Sequence, residues 1–245
     1  MKYDKNYIYW FFLSLFVFYI CWGFPQISNT YGIIENKLFL STFFSIVYTG
    51  LAGCLLPILL INKFDIKANT SDRILTKSII GYLFLIITLV FTVFFSNALS
   101  DTLSHNYSPI IYIKYVLLFF PMSLALSLYG FILIPALFQQ MNNKLLKAIF
   151  TVISTGLFFA LGFFIDSSFG SIELAITLSI IGLMLSIANI LIKNFWVVFV
   201  GFFIIMLFNT LGEAKYIDNN IYIVIASSLL SGGIMFYHLA KRKAV

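Results

Sequence analysis

The sequence predicts an all-α protein that crosses a lipid bilayer several times. Hydrophobic residues make up 61% of the 245 residues, and only 10% are charged. The mean hydropathy is +1.02. Soluble domains carry about 25% charged residues, so this chain is expected to place most side chains against lipid. Because lipid cannot hydrogen-bond the backbone, the membrane-spanning segments are expected to be helices. No segment between them is long enough to fold alone, so residues 1–245 form one transmembrane domain.

Windows of about twenty apolar residues mark eight candidate spans. The first follows a short basic start and precedes no small-residue cleavage site, so we expect a retained helix rather than a signal peptide. The sixth and seventh are separated only by residues 193–194, which predicts a tight antiparallel turn. The eight spans cover 7–24, 38–62, 79–98, 109–138, 148–165, 172–192, 195–211 and 221–239.

The distribution of basic residues gives the orientation. Lys and Arg accumulate in the cytoplasmic loops of membrane proteins. This accumulation explains the net charge of +6, so the charge does not indicate a nucleic-acid partner. With eight spans and a cytoplasmic N-terminus, the outer side receives only Lys37, Lys114 and Lys215 of the 15 basic residues. Both termini are therefore predicted to be cytoplasmic. The other basic residues, all inside, are Lys2, Lys5, Lys63, Lys67, Arg73, Lys77, Lys144, Lys147, Lys193, Lys241, Arg242 and Lys243.

Aromatic and small residues predict how the spans sit and pack. Aromatic rings near span ends are expected in interfacial belts, and small residues are expected where helices approach closely. Both cysteines, Cys21 and Cys54, fall inside apolar spans and are expected to pack rather than form a disulfide. The predicted belt residues are Tyr7, Tyr9, Trp10, Trp22 and Trp196. The predicted contact residues are Gly50, Gly53, Gly156, Ala160, Gly232 and Gly233.

No ionisable residue is predicted deep inside a span. Such a residue would be the usual mark of a proton pump, an ion-coupled transporter or a voltage sensor. His105 and His238 fall near opposite membrane faces, so they cannot share a zinc ion. The sequence also lacks a phosphate-binding glycine loop and a cysteine cluster. We therefore expect no metal site and no cofactor.

The predicted membrane interior is polar but neutral. Ser123 and Ser127 are four residues apart and share one face of the fourth span, near a backbone carbonyl that Pro121 frees. These hydroxyls either join helices by hydrogen bonds or line a polar pocket. The remaining interior polar residues are Tyr129, Thr151, Ser154, Thr155, Ser179, Ser186, Asn189, Asn209 and Thr210.

The order of three segments resembles the CPBP family, which comprises CAAX prenyl-protein endopeptidases and bacteriocin-processing or immunity (Abi) proteins. That family has Glu-Glu-x-x-x-Arg-Gly followed by Leu-Leu-Pro-x-Leu, then Phe-x-x-x-His, then His-x-x-x-Asn. Here the corresponding segments are 123–137, 148–162 and 194–212, and the resemblance covers about 115–212. Gly130, Pro135 and Asn209 are the matching residues.

This resemblance implies a chain without the family's catalytic residues. Its two glutamate positions fall on Leu124 and Ala125, and its arginine position falls on Tyr129. The two histidine positions fall on Gly162 or Phe163, with Phe158 or Phe159 as the preceding Phe, and on Ile205. The family's glutamates and histidines activate water, whereas its asparagine stabilises an oxyanion. Only Asn209 is retained, so peptide hydrolysis by that mechanism is not expected.

The leading hypothesis is therefore a pseudoenzyme that binds or regulates a membrane-associated or secreted protein or peptide, as in bacteriocin immunity. Its candidate pocket is Ser123, Ser127, Tyr129 and Asn209. An alternative is a permease subunit of a peptide or immunity ABC transporter, with residues 62–77 as the only candidate coupling helix. A further alternative is a protease with an unrecognised active site. The many Ile, Phe, Asn and Lys residues suggest a bacterial plasma membrane.

Overall fold

The computed structural model describes residues 5–33, 36–66, 79–95, 109–166, 172–211 and 221–243. Within these ranges the chain forms α-helices and two π-helical segments, π1 and π2, and no strand. The elements are α1 (Lys5–Tyr31), α2 (Lys37–Thr42), π1 (Phe43–Leu55), α3 (Leu56–Lys63), α4 (Ile79–Phe95), α5 (Pro109–Leu128), π2 (Tyr129–Leu133), α6 (Ile134–Leu137), α7 (Lys144–Asp166), α8 (Ile172–Ile192), α9 (Phe195–Leu211) and α10 (Ile221–Lys243).

The helices confirm a multi-pass membrane protein. Among the described residues, 6 helical stretches are long and apolar enough to cross a bilayer. The third and seventh predicted spans correspond to α4 and α9, each 17 residues long. A helix of that length measures about 25 Å, slightly less than the ~30 Å hydrocarbon core. Eight crossings therefore stay a prediction.

A two-residue turn connects α8 to α9, as the sequence predicts. Lys193 adopts a left-handed conformation with φ of 54°, which ends α8. The side chain of Asn194 then accepts hydrogen bonds from the backbone N–H groups of Trp196 at 3.0 Å and Val197 at 3.4 Å. This cap satisfies donors that the start of α9 would otherwise leave unpaired.

The fourth predicted span, formed by α5, π2 and α6, is the most enclosed element, and we call it the central span. In the most apolar 18-residue window within Tyr112–Leu137, 89% of the residues are buried, against 28% for the last span and 33% for the first. The central span contacts π1, α9 and α10 on its sides, whereas α7 and α8 pack around π2. The other described helices therefore surround it and carry most of the lipid-facing surface.

Each π segment ends two residues before a proline. Pro57 lies in the first turn of α3 after π1, and Pro135 lies in the first turn of α6 after π2. A proline ring collides with the carbonyl four residues earlier and removes a hydrogen-bond donor. The wider π turn relieves that collision, since the residues before the prolines bond five residues back: Leu56 N–H donates to Leu51 O and Ile134 N–H to Tyr129 O.

Three of the predicted glycine contacts are confirmed and two are wrong. A Cβ added to Gly50 would lie 2.7 Å from Leu230 Cδ2, and one added to Gly156 would lie 2.7 Å from Leu183 Cδ2. Gly53 packs just as closely against Ala125 of the central span. By contrast, Gly232 and Gly233 have no atom within 4 Å of an added Cβ. They face open space on α10 and are not helix-contact residues.

The predicted aromatic belt is only partly correct. Tyr9 and Trp10 are exposed, and Trp10 packs under the Lys63 ammonium, which lies 4.2 Å from the ring centroid. Tyr7 and Trp22 are fully buried instead. Both rings lie on the inward face of α1, where burial against the central part of the bundle outweighs the preference of aromatic rings for the interface.

Candidate functional site

Tyr129 begins π2 and lies at the centre of the bundle. Its ring is fully buried, with its centroid 4.6 Å from that of Phe18 on α1 and 6.0 Å from that of Phe158 on α7. Its hydroxyl donates towards two backbone carbonyls, Ser14 O at 3.2 Å and Ala52 O at 3.1 Å. One side chain of the central span thereby links α1 and π1.

Three carbonyls of π2 accept hydrogen bonds from side chains of three other helices. Thr155 of α7 donates to Gly130 O at 3.1 Å, Asn189 of α8 donates to Phe131 O at 3.0 Å, and Tyr7 of α1 donates to Leu133 O at 2.9 Å. A helix that departs from the α pattern leaves carbonyls that lipid cannot satisfy. These neighbouring side chains satisfy them, so the distorted segment is stabilised from outside.

We define the polar hub as π2 together with Tyr7, Thr155 and Asn189. Each donor in the hub is neutral and is directed at a backbone carbonyl. The bonds from Tyr7, Thr155 and Asn189 end on Leu133 O, Gly130 O and Phe131 O. They join α1, α7 and α8 to the central span.

Ser123 and Ser127 lie on α5 immediately before the hub, and both are fully buried. Neither hydroxyl has a hydrogen-bond partner among the described residues. Ser186 Oγ and Asn189 Oδ1, both on α8, also have no hydrogen-bond partner among the described residues. A buried hydroxyl without a partner costs about 1–3 kcal/mol. A polar ligand or a rearranged neighbour that bonded these atoms would therefore stabilise the protein.

Three of the four candidate pocket residues, Ser123, Ser127 and Tyr129, have side chains in the described part of the chain. Ser127 and Tyr129 are two residues apart, so their side chains leave the helix on different sides. The Tyr129 hydroxyl is directed towards α1 and π1. Asn209 belongs to α9, but its side chain lies outside the described part of the chain. Ser123 and Ser127 alone share a face, as their spacing predicts.

The residues at the CPBP catalytic positions are packed in the core. Leu124, Ala125 and Ile205 are all almost completely buried. Ala125 lies against Gly53, and Gly162 lies against the ring of Trp22 so closely that it leaves no room for a side chain. Phe163, the other position considered for the family histidine, has a side chain outside the described residues. Within the described part of the chain, no three His, Cys, Asp or Glu side chains could hold a metal ion.

A second polar cluster joins π1 to α10. The Thr49 and Ser227 hydroxyls lie 3.0 Å apart, and Ser227 also donates to Ser45 O at 2.6 Å. Thr49 donates to the same carbonyl, and Ser228 donates to Leu117 O on the central span. The sequence alone does not single out this cluster, because Ser and Thr occur throughout the spans. The spacing of Ser45 and Thr49, four residues apart on one helix face, is the available signal.

Comparison with known proteins identifies no relative. No family model matches the chain, and no match is found among curated proteins or solved structures.

Proposed function

We propose that this protein is a non-catalytic membrane protein with eight spans and both termini in the cytoplasm, which binds a membrane-associated protein or peptide. The observation that carries the proposal is the packing around Tyr129. Its ring and hydroxyl occupy the centre of the bundle, and the donors around π2 are used to hold helices. A bundle whose interior is joined in this way fits a scaffold better than an enzyme.

The proposal extends to a degenerate relationship with the CPBP family. Two features support it: Gly130 and Pro135 frame the distorted segment of the most buried span, and the residues at the family's catalytic positions fill space. Gly162 adjoins Trp22, and Ala125 adjoins Gly53. In this view the protein has kept a membrane scaffold and lost the hydrolytic residues. Immunity to a bacteriocin in a bacterial plasma membrane is the role we favour for such a scaffold.

The binding surface would lie on helices that face outward. Phe16 of α1 is 63% exposed, Leu157 of α7 is 56% exposed, and Phe236 of α10 is 75% exposed. α1 and α7 pack against each other, whereas α10 packs against π1 and the central span. A partner within the bilayer would cover one of these three helices, whereas lipid covers the others.

The test places a photo-reactive amino acid at Phe16, Leu157 or Phe236 in three versions of the protein, each expressed in native membranes. At one of the three positions we expect an adduct with a single protein or peptide. At the other two positions we expect adducts with lipid and with nothing else. An ATPase adduct would instead support the transporter alternative. Zinc at one equivalent per purified chain, together with peptide cleavage, would contradict the non-catalytic proposal and support a protease.

A further inference from the structure

A groove with a volume of about 390 Å³ runs between α10 on one side and α3 with the last residue of π1 on the other. Its walls are mostly aliphatic, with Leu55 and Leu59 on one side and Leu229 and Gly233 on the other. Asn62 and Tyr237 are its polar lining residues and lie near the ends of their helices. Its volume falls within the ~300–1,000 Å³ typical of small-molecule sites. The groove faces the bilayer, because Leu59 and Leu229 are both more than half exposed.

The groove begins where the close contact between the two helices ends. Upstream, hydrogen bonds between Thr49, Ser227 and Ser45 O hold π1 and α10 together. The contact of Gly50 with Leu230 closes the helices further. Downstream, Gly233 has no atom within 4 Å of an added Cβ. Beyond Leu230, α10 and α3 therefore move apart, and the absence of a side chain at Gly233 deepens the space between them.

The polar end of the groove lies beside the basic end of α10. Lys241, Arg242 and Lys243 form the last turn of that helix, about one turn beyond Tyr237. Lys63 follows Asn62 directly, but its ammonium lies over the Trp10 ring of α1. Within the described part of the chain, Asp65 is the one acidic residue near this end of the groove. The basic residues therefore outnumber the acidic ones there. Basic residues beside a membrane span attract anionic lipid, each contributing about 1 kcal/mol near a charged surface.

We propose that this groove binds one acyl chain of an anionic phospholipid, with the phosphate group at Asn62 and the basic end of α10. An acyl chain suits the aliphatic walls, and a negatively charged head group complements the basic end. A zwitterionic lipid would gain the same apolar contacts without the net attraction. The site is separate from the polar hub and does not depend on whether the protein is an enzyme.

Native mass spectrometry of the purified full-length protein tests the proposal. The detergent-solubilised protein is titrated with phosphatidylglycerol and with phosphatidylcholine of identical acyl chains. We expect the first phosphatidylglycerol to bind at least about tenfold more tightly, which corresponds to ~1.4 kcal/mol. Equal affinity for the two lipids would overturn the head-group assignment.

Two adjacent glycines provide a matched pair of variants. Gly233→Phe fills the groove and is expected to reduce phosphatidylglycerol binding about tenfold or more. Gly232→Phe adds the same ring at a position that is equally open but does not line the groove, and is expected to retain binding. Asn62→Trp blocks the mouth from the other helix and serves if Gly233→Phe is not monodisperse. Unchanged binding in both blocking variants, or equal loss in Gly232→Phe, would overturn the site.

The head group is tested separately with a triple substitution of Lys241, Arg242 and Lys243 to Gln. This variant is expected to bind both lipids with the affinity that the natural protein shows for phosphatidylcholine, because the aliphatic walls are unchanged. A preserved preference for phosphatidylglycerol would contradict the role of the basic end.

Discussion

Replacing Tyr129 with Phe should weaken the bundle by one interhelical hydrogen bond and little else. The hydroxyl has one proton, which it shares between Ser14 O at 3.2 Å and Ala52 O at 3.1 Å. Both distances exceed the roughly 2.5–3.0 Å that is usual for O–H···O hydrogen bonds, so each contact is weak. Interhelical side-chain hydrogen bonds in a membrane average about 0.6 kcal/mol and reach about 1.7. We therefore expect Tyr129→Phe to lower the free energy of unfolding by about 1 kcal/mol.

The ring should contribute more than the hydroxyl. Tyr129→Ala removes the contacts with Phe18 and Phe158 and leaves a cavity, which costs about 3–5 kcal/mol for a buried aromatic residue. Unfolding free energies can be measured by steric trapping in bicelles, with Tyr9→Phe on the lipid-facing side of α1 as the control. A loss above about 3 kcal/mol for Tyr129→Phe, or none at all, would refute the assignment of a single shared hydrogen bond.

Three further predictions concern packing, an unpaired hydroxyl and topology. Gly53→Ala should lower unfolding stability by about 1–3 kcal/mol because its Cβ meets the central span; Gly232→Ala, which meets nothing, should raise stability by up to ~1 kcal/mol. Ser127→Ala should raise stability by about 1 kcal/mol by removing an unpaired buried hydroxyl; a lower stability would mean that the hydroxyl is bonded in the membrane. Lys193→Cys and Asn143→Cys should react with an impermeant maleimide from the same, cytoplasmic side. Labelling from opposite sides would contradict the eight-span topology.

The positions of the helices could be predicted because hydropathy depends on sequence alone. Every predicted span overlaps a described helix or consecutive helical segments, although residues 96–98 of the third lie outside the described residues. Even the turn at Lys193 and Asn194 was predictable, since no other connection fits between two such apolar stretches. The first predicted span, 7–24, matches the apolar stretch Asn6–Phe24, and α1 continues beyond that stretch to Tyr31.

The interior of the bundle could not be predicted in the same way. Tyr7 resembles a belt residue in sequence, but it reaches Leu133 O from a helix 126 residues away. The π segments depend on partners such as Asn189, which satisfy carbonyls that the widened turn exposes. Such pairing arises from the relative position of helices, and one sequence does not record it. Pro57 and Pro135 were visible signals of distortion, although they do not specify a π turn.

The hydrogen bonds of π2 also impose an order on membrane insertion. When the central span leaves the ribosome, Tyr7 has already been synthesised and can bond Leu133 O. Thr155 and Asn189 are synthesised later, so the carbonyls of Gly130 and Phe131 must wait for α7 and α8. A nascent chain ending after the central span therefore carries unsatisfied carbonyls in lipid, at a cost of several kcal/mol each. The central span, which is the most buried element of the folded protein, is thus the one that most needs protection from lipid during membrane insertion.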